Sequence, residues 1–246
     1  MSVAVIEKPD REFVSSFLKP GMTALDVGAH HGLYTTLMSK LVGPTGRVIA
    51  FEPSQRERLG LERHLRLNGC RNVRVEPHAI GSSVGQAEFF VVDGDQSGAN
   101  SLRMPVLDGR TISTHSVSVP VTTIDQYLMD HDIEHVDFIK MDIEGAELEA
   151  FNGAEGLLTG KDRPPLMTEM SDMVTKSWGY HSREKYDLLS RWEYDWYSIL
   201  PDGRLLPSPR RETYEGVDNF VAFPRNANSS LRTDASNTTS SASGHN

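Results

Sequence analysis

The sequence predicts an α/β fold with a mostly parallel sheet covered by helices on both faces. Short apolar runs that end in polar or turn residues alternate with amphipathic stretches of helical period. The chain has 246 residues and 38% hydrophobic content, enough for one complete core of the size usual for a single α/β domain. No internal repeat breaks the alternation. A single domain over residues 1–225 is therefore expected, with residues 1–20 as an N-terminal helical lid on the sheet.

The elements follow in order. Asp10 can cap a short helix that runs through Leu18, with Phe13, Val14, Phe17 and Leu18 on one side and "KPG" ending it. "TALDVG" and "RVIAFEP" read as short buried strands, and the helical stretch 33–41 between them completes a βαβ unit. Residues 56–67 form a charged helix whose Leu59, Leu61, Leu65 and Leu67 are expected to cover the sheet. "NGCRN" breaks that helix, and "VRVEPHAI" reads as the third strand. From 81 to 120 the pattern shifts to Gly, Ser, Asp and β-rich pieces such as "AEFFVV" and "SVSVPV", which predicts a hairpin with a mobile loop around "DGDQSGANSL". A capped helix "TTIDQYLMDHDI", the strand "VDFIKMDIEG" and the helix "AELEAFNGAEGLL" come next. "PLMTEM" is a further strand, "SREKYDLLSRW" a helix, and "DWYSIL" with "NFVAFP" a final strand pair around "PDGR". Residues 226–246, mostly Ser, Thr, Asn and small residues, are expected to be disordered; the sequons "NSS" and "NTT" there are of a kind expected by chance.

Composition narrows the function. There are 25 Lys+Arg against 34 Asp+Glu, a net of -9, and no basic stripe, which argues against a broad nucleic-acid or anionic-membrane surface. Cys70 is the only cysteine, so a chain-internal disulfide and a cysteine-based zinc cluster are excluded. The N-terminal "MSVAVIEKPDREF" meets charges and a proline too soon for a signal-peptide core or a membrane span. A cytoplasmic protein with a small-molecule partner is expected; the oligomeric state is not legible.

The first strand turns into its helix at "DVGAHHG", residues 26–32, where an α/β sheet of this order binds its ligand. The turn lacks the full G-x-G-x-x-G fingerprint and any G-x-x-x-x-G-K-[ST], so a phosphate is not what it cradles. Gly28 and Gly32 let the backbone approach a ligand, and Asp26 can accept a hydrogen bond from a cationic group. Glu52 ends the second strand, where an acid can accept both hydroxyls of a ribose. The plain alternative for Glu52 is a capped strand end.

"LDVGAHHGLYT", "AFEPS", "VPVTTIDQYL" and "DFIKMDIEGAELEAFNGAEGLL", in that order, resemble the FkbM family of methyltransferases over residues 20–170. The resemblance implies a Rossmann-like class I fold, with a mostly parallel seven-stranded sheet, an antiparallel edge strand and helices on both faces. It also implies S-adenosylmethionine as donor and O-methylation of sugars or other natural-product hydroxyls. Carried over, Asp26, Gly28 and Gly32 shape the methionine end of the pocket and Glu52 holds the ribose, while His78, Ala79 and Ile80 fall where the adenine lies; a satisfied loop histidine is the alternative for His78. The family usually has Asn and an apolar residue where this chain has His30 and His31. His30 is expected to line the pocket and His31 to begin the helix.

Methyl transfer from a sulfonium is an in-line displacement, so alignment dominates, with help in removing the acceptor proton. "KMDIEG" places Asp142 and Glu144 at alternate positions, facing one side if the strand runs through Ile143. Asp142 is the first choice for meeting the cofactor's methyl end and for orienting or deprotonating the acceptor. Glu144 either shares that role or caps the next helix, where an acid gains about 0.3 to 1 kcal/mol. Glu169 in "TEM" can supply a further carboxylate, and Lys140 can pair with one of them. A divalent ion such as Mg²⁺ on Asp142 with Glu144 or Glu169 is a less favoured option that no spacing specifies. Asn100, Ser101 and His181 are candidates for acceptor binding, the last beside Trp178 and Tyr180, which core packing also explains. His131 and His135 lack the Glu of H-E-x-x-H and read as a solvated helix end. An O-methyltransferase is thus expected. N- or carboxylate methylation, a nicotinamide-dependent oxidoreductase and a noncatalytic binding module are the competing readings.

Overall fold

The computed structural model describes residues 8–94, 97–107, 110–111 and 113–225. Residues 226–246, expected to be disordered, lie outside the described residues, as do 1–7 of the expected lid. The first half contains α1 (Lys8–Phe17), β1 (Thr23–Val27), α2 (Leu33–Val42), β2 (Arg47–Phe51), α3 (Gln55–Leu67) and β3 (Val73–Glu76). Next come β4 (Ala79–Ile80), β5 (Gly85–Val92), β6 (Val106–Leu107), β7 (Arg110–Thr111), β8 (Thr114–Thr122) and α4 (Ile124–Asp130). The chain continues through β9 (Phe138–Met141), α5 (Glu147–Asn152), α6 (Glu155–Thr159), β10 (Leu166–Met170) and α7 (Asp172–Thr175). It closes with α8 (Ser182–Arg191), β11 (Tyr194–Ile199), β12 (Leu205–Pro207) and β13 (Asp218–Pro224).

β1 and β10 are buried along their whole length, as strands covered on both faces must be. The main sheet runs β12-β11-β13-β10-β9-β1-β2-β3. Its five strands from β10 to β3 are parallel, while β13 is antiparallel to both β10 and β11. The sheet has eight strands, not the seven expected. The additional one is β12: "PDGR" turns the chain back at Gly203 (φ +80), and Ile199 pairs with Leu205. It spans only Leu205–Pro207 and is mostly exposed, too short and too little buried to read as a strand from its pattern alone.

Side chains that alternate along the strands feed two cores on opposite faces. On one face Phe13 and Phe17 of α1 meet Phe138 and Phe223, with Met38 and Val42 of α2 beside them. On the other, Ile139 and Met141 pack with Ile124, Phe151, Leu158 and Leu189 from α4, α5, α6 and α8. In α3 only Leu61 and Leu65, four residues apart, point inward; Leu59 and Leu67 are 60% and 75% exposed, contrary to the expectation that all four leucines cover the sheet.

Three predicted elements are cut short for identifiable reasons. "VRVEPHAI" is two strands, because Pro77 has no N–H to continue the ladder; β4 joins a separate sheet of order β4-β8-β5. The helix expected over 146–158 divides into α5 and α6 at Gly153, where a Cβ would lie 2.1 Å from the main-chain oxygen of Gly81. β9 stops at Met141, and Asp142 through Gly145 form a turn. The predicted hairpin is present: β5 and β8 pair from Gly85↔Val121 to Val92↔Thr114. Among the described residues, no helix is long and apolar enough to cross a membrane.

Candidate active site

At the carboxyl ends of β1, β2 and β9 a cavity of about 610 Å³ opens, lined by Gly28, His30, His31, Glu52, Lys140, Asp142 and Glu144 among others. Its floor is the turn after β1. Gly28 has φ +85, and a Cβ there would fall 1.8 Å from the main-chain oxygen of Asp142, so only glycine lets the β1 and β9 turns cross. Gly32, also left-handed, caps α2; a Cβ on it would lie 2.3 Å from Leu61 Cδ1.

Glu52 ties this turn to β2. Its Oε2 accepts from the His30 N–H (2.8 Å) and its Oε1 from the Ser54 N–H (2.9 Å). Burial pushes the Glu52 carboxyl up to about 7. The first of those bonds helps hold His30 in the left-handed region (φ +48), unusual for a side chain of its size. Both histidine rings line the cavity, with centroids 3.9 Å apart. Burial, reinforced by the neighbouring His31, lowers His30 to about 4 and keeps it neutral. His31 stays in the turn, where its main-chain oxygen accepts from His64 (2.7 Å); the helix begins at Leu33, not at His31 as expected.

Asp26 is placed differently from the expectation. It is fully buried beneath the turn and is not on the cavity wall; one oxygen accepts from the Thr35 hydroxyl (2.5 Å) and the other faces Lys140 Nζ at 3.9 Å. Lys140 Nζ also lies 3.4 Å from both Asp142 Oδ2 and the Gly28 main-chain oxygen, and 5.1 Å over the Tyr34 ring. Asp26 therefore braces the lysine that orients Asp142. His78 turns toward Glu76 (3.5 Å) and is off the wall, whereas Ala79 and Ile80 are on it.

Asp142, Glu144 and Glu169 do converge: their carboxylate oxygens come within 4.8 Å of one another. Strand alternation does not bring them together, since β9 ends before Asp142. The left-handed pair Glu144 (φ +54) and Gly145 (φ +94) folds the loop back instead. That turn is clamped. The Ser101 hydroxyl and Trp178 Nε1 donate to the Glu144 carbonyl (3.0 and 2.9 Å), and the Tyr180 hydroxyl donates to that of Gly145 (2.7 Å). Glu147 Oε1 accepts from the N–H groups of Ile143 and Gly145, and its Oε2 accepts from buried Lys185 (3.1 Å). Ser101, expected to meet the acceptor, instead holds the turn that carries Glu144. Burial pushes the Glu144 and Glu169 carboxyls well up, and the neighbouring Asp142 charge adds to both.

Asn100 lines the cavity, with its Oδ1 accepting from Val92 N (2.8 Å). His181 does not; it sits half-exposed at the start of α8, 3.8 Å from Asp172. A second cavity of about 350 Å³ shares Asp142 with the first and is lined by Asp10, Glu169, Arg211, Asp218, Asn219 and Phe220. Sequence reasoning put forward Asn100, Ser101 and His181 for the acceptor and did not single out Asp10, Asp218 or Asn219. They carry no local motif and meet only because β13 lies beside β10. Tyr34 and Lys185 were missed for the same reason. A second potential ligand group, His30, His31 and Glu57, flanks the first cavity, while His131 and His135 bond to Tyr127 O and Asp137.

The first cavity combines a carboxylate with lone pairs to spare at one end, the apolar Ala79, Ile80 and Phe89, and carboxylates at the other. That set suits a ligand with vicinal hydroxyls, a flat base and a cationic end, as in an adenosyl sulfonium.

Residues 26–194 match the family model described as the methyltransferase FkbM domain. The chain is 26% identical over 198 residues to the 2-O-methyltransferase NoeI of Sinorhizobium fredii, covering 76% of this chain and 78% of that protein. It is 25% identical to part of the AMB antimetabolite synthetase AmbE of Pseudomonas aeruginosa, covering 84% of this chain but only 10% of that much longer protein. The crystal structure of methyltransferase FkbM from Methylobacillus flagellatus has the same fold at 20% identity, with a TM-score of 0.50 over 85% of this chain and 47% of that one. The family match spans the β1 turn, Glu52 and all three converging carboxylates, and the chain belongs to the FkbM family of methyltransferases.

Proposed function

We propose that this protein methylates a hydroxyl of a sugar or other natural-product small molecule, with S-adenosylmethionine as donor. The observation that carries the reading is the position of Asp142, which alone among the described residues lines both cavities. The first cavity suits the donor and the second the acceptor, so Asp142 stands where the two meet. The kinship with NoeI, a 2-O-methyltransferase, favours a hydroxyl acceptor.

When bound, the donor supplies an electrophilic methyl group on a sulfonium. Glu52 accepts the ribose hydroxyls, and Ala79, Ile80 and Phe89 enclose the base. Asp142 accepts a hydrogen bond from the acceptor hydroxyl and takes its proton as the oxygen attacks. Lys140 fixes the orientation of the Asp142 carboxylate. Burial holds Glu144 and Glu169 toward their protonated forms, so the proton-accepting role falls to Asp142. The Ser101, Trp178 and Tyr180 clamp keeps the turn from drifting, which matters because alignment supplies most of the acceleration.

Transfer of an isotopically labelled methyl group to a panel of glycosides, with fragmentation of the product, tests this reading. Asp142→Asn should lower turnover by about 10²- to 10⁴-fold, the usual contribution of a positioned acid or base, with S-adenosylhomocysteine affinity unchanged and no loss of wild-type activity in EDTA. Wild-type turnover in the variant, or label on nitrogen, overturns it.

A further inference from the structure

We propose that Asn100 reads the base of the donor, pairing its side-chain amide with the amino edge of adenine and so setting which nucleoside the first cavity accepts. This rests on S-adenosylmethionine as the donor proposed above and adds the residue that selects its base. Gly98, Asn100 and Leu102, at alternate positions, line the cavity together with Ala79, Ile80 and Phe89. The segment is tied to β5, since Phe90 and Ser101 exchange both main-chain hydrogen bonds, at 2.8 and 3.1 Å.

The orientation of the amide follows from its partner. The Val92 N–H can only donate, so the Asn100 atom 2.8 Å from it is Oδ1, and the NH₂ group is turned away. That Nδ2 is buried and has no hydrogen-bond partner among the described residues. Two donors are left without an acceptor, while Oδ1 keeps a second lone pair. The group that completes this amide must offer an acceptor beside a donor. Adenine does so: its 6-amino group lies next to a ring nitrogen that only accepts, and an Asn amide meets such an edge with two hydrogen bonds. The sulfonium and ammonium of the donor accept nothing, and its ribose hydroxyls are engaged by Glu52. The Val92 carbonyl accepts from Arg56 Nη2 (2.9 Å) in the first turn of α3, just beyond Glu52. Asn100, bonded to Val92, is thereby held at the nucleoside end of the cavity.

Calorimetry on the full chain compares S-adenosylhomocysteine with S-inosylhomocysteine, in which an oxygen replaces the 6-amino group and N1 carries a proton. The wild type should bind the adenosyl form about tenfold or more tighter, the effect of a hydrogen bond exchanged for an unpaired polar group. Asn100→Ala should shrink that ratio to about twofold or less. Asn100→Asp keeps an acceptor for Val92 and removes only the NH₂ group; it should shrink the ratio as well, so a loosened loop does not account for the loss. Glu52→Gln, which acts on the ribose, should weaken both ligands alike and preserve the ratio. No preference in the wild type, a preference that survives in either Asn100 variant, or equal weakening of both ligands by those variants overturns the proposal and leaves the methyl-transfer reading standing. Failure of the wild type to bind S-adenosylhomocysteine overturns that underlying reading instead.

Discussion

Replacing Glu52 with Gln alters one oxygen in the first cavity, and the consequence can be worked out from its contacts. In the wild type each carboxylate oxygen accepts one main-chain N–H, from His30 or Ser54, and retains a lone pair for a ribose hydroxyl. The Gln amide must point its NH₂ at one of those N–H donors. One hydroxyl contact is then lost, and a hydrogen bond to a charged group is worth about 1.5–3 kcal/mol, so S-adenosylhomocysteine should bind roughly 10- to 100-fold more weakly. Burial also places the Glu52 carboxyl at about 7, and only its ionised form accepts both hydroxyls well. Affinity in the wild type should therefore rise by about tenfold between pH 6 and pH 8. The unliganded fold moves the opposite way. A carboxyl raised from 4.5 when unfolded to about 7 when folded binds the extra proton in the folded state. Its stabilising contribution is present below pH 4.5 and is lost as pH rises through 7, by at most about 3 kcal/mol. Calorimetric titration of S-adenosylhomocysteine across this range, paired with thermal melts, reads both effects. An affinity slope that persists in Glu52→Gln, or a variant that binds as the wild type does, refutes the assignment.

Two further substitutions test the scaffold. Gly28→Ala puts a methyl group 1.8 Å from the Asp142 carbonyl at a left-handed position, and should destabilise the fold by about 2–5 kcal/mol in urea unfolding. Lys185→Met strands the buried Glu147 carboxylate and the Glu169 carbonyl. It should cost about 3–5 kcal/mol, as breaking a buried pair does, and a loss under 1 kcal/mol would show that water replaces the ammonium.

Much of the fold was legible because strand periodicity and turn chemistry are local. The apolar run "TALDV" could only be an interior strand, and Thr123 caps α4 through its side chain as its place before the helix implies. The departures arose where a distant contact overrides a local pattern. Gly153 breaks a helix because it presses on Gly81, and β12 exists because the turn at Gly203 lays the short, mostly exposed segment Leu205–Pro207 against β11. The site divides along the same line. Glu52 was readable because the end of a strand faces the crevice whatever surrounds it. Ser101 was misread because its partner, the Glu144 carbonyl, lies 43 residues away.

By itself the sequence determined the α/β order, the glycine turn after β1, the acid ending β2 and the carboxylates of "KMDIEG", since each follows from spacing along one element. Tertiary structure decided the rest. Asp26 became a buried brace, Glu144 reached Glu169 through a left-handed turn, and Asp10, Asp218 and Asn219 met around a second cavity. Sheet order and turn geometry set which side chains share a space, and neither is encoded within any one segment of the chain.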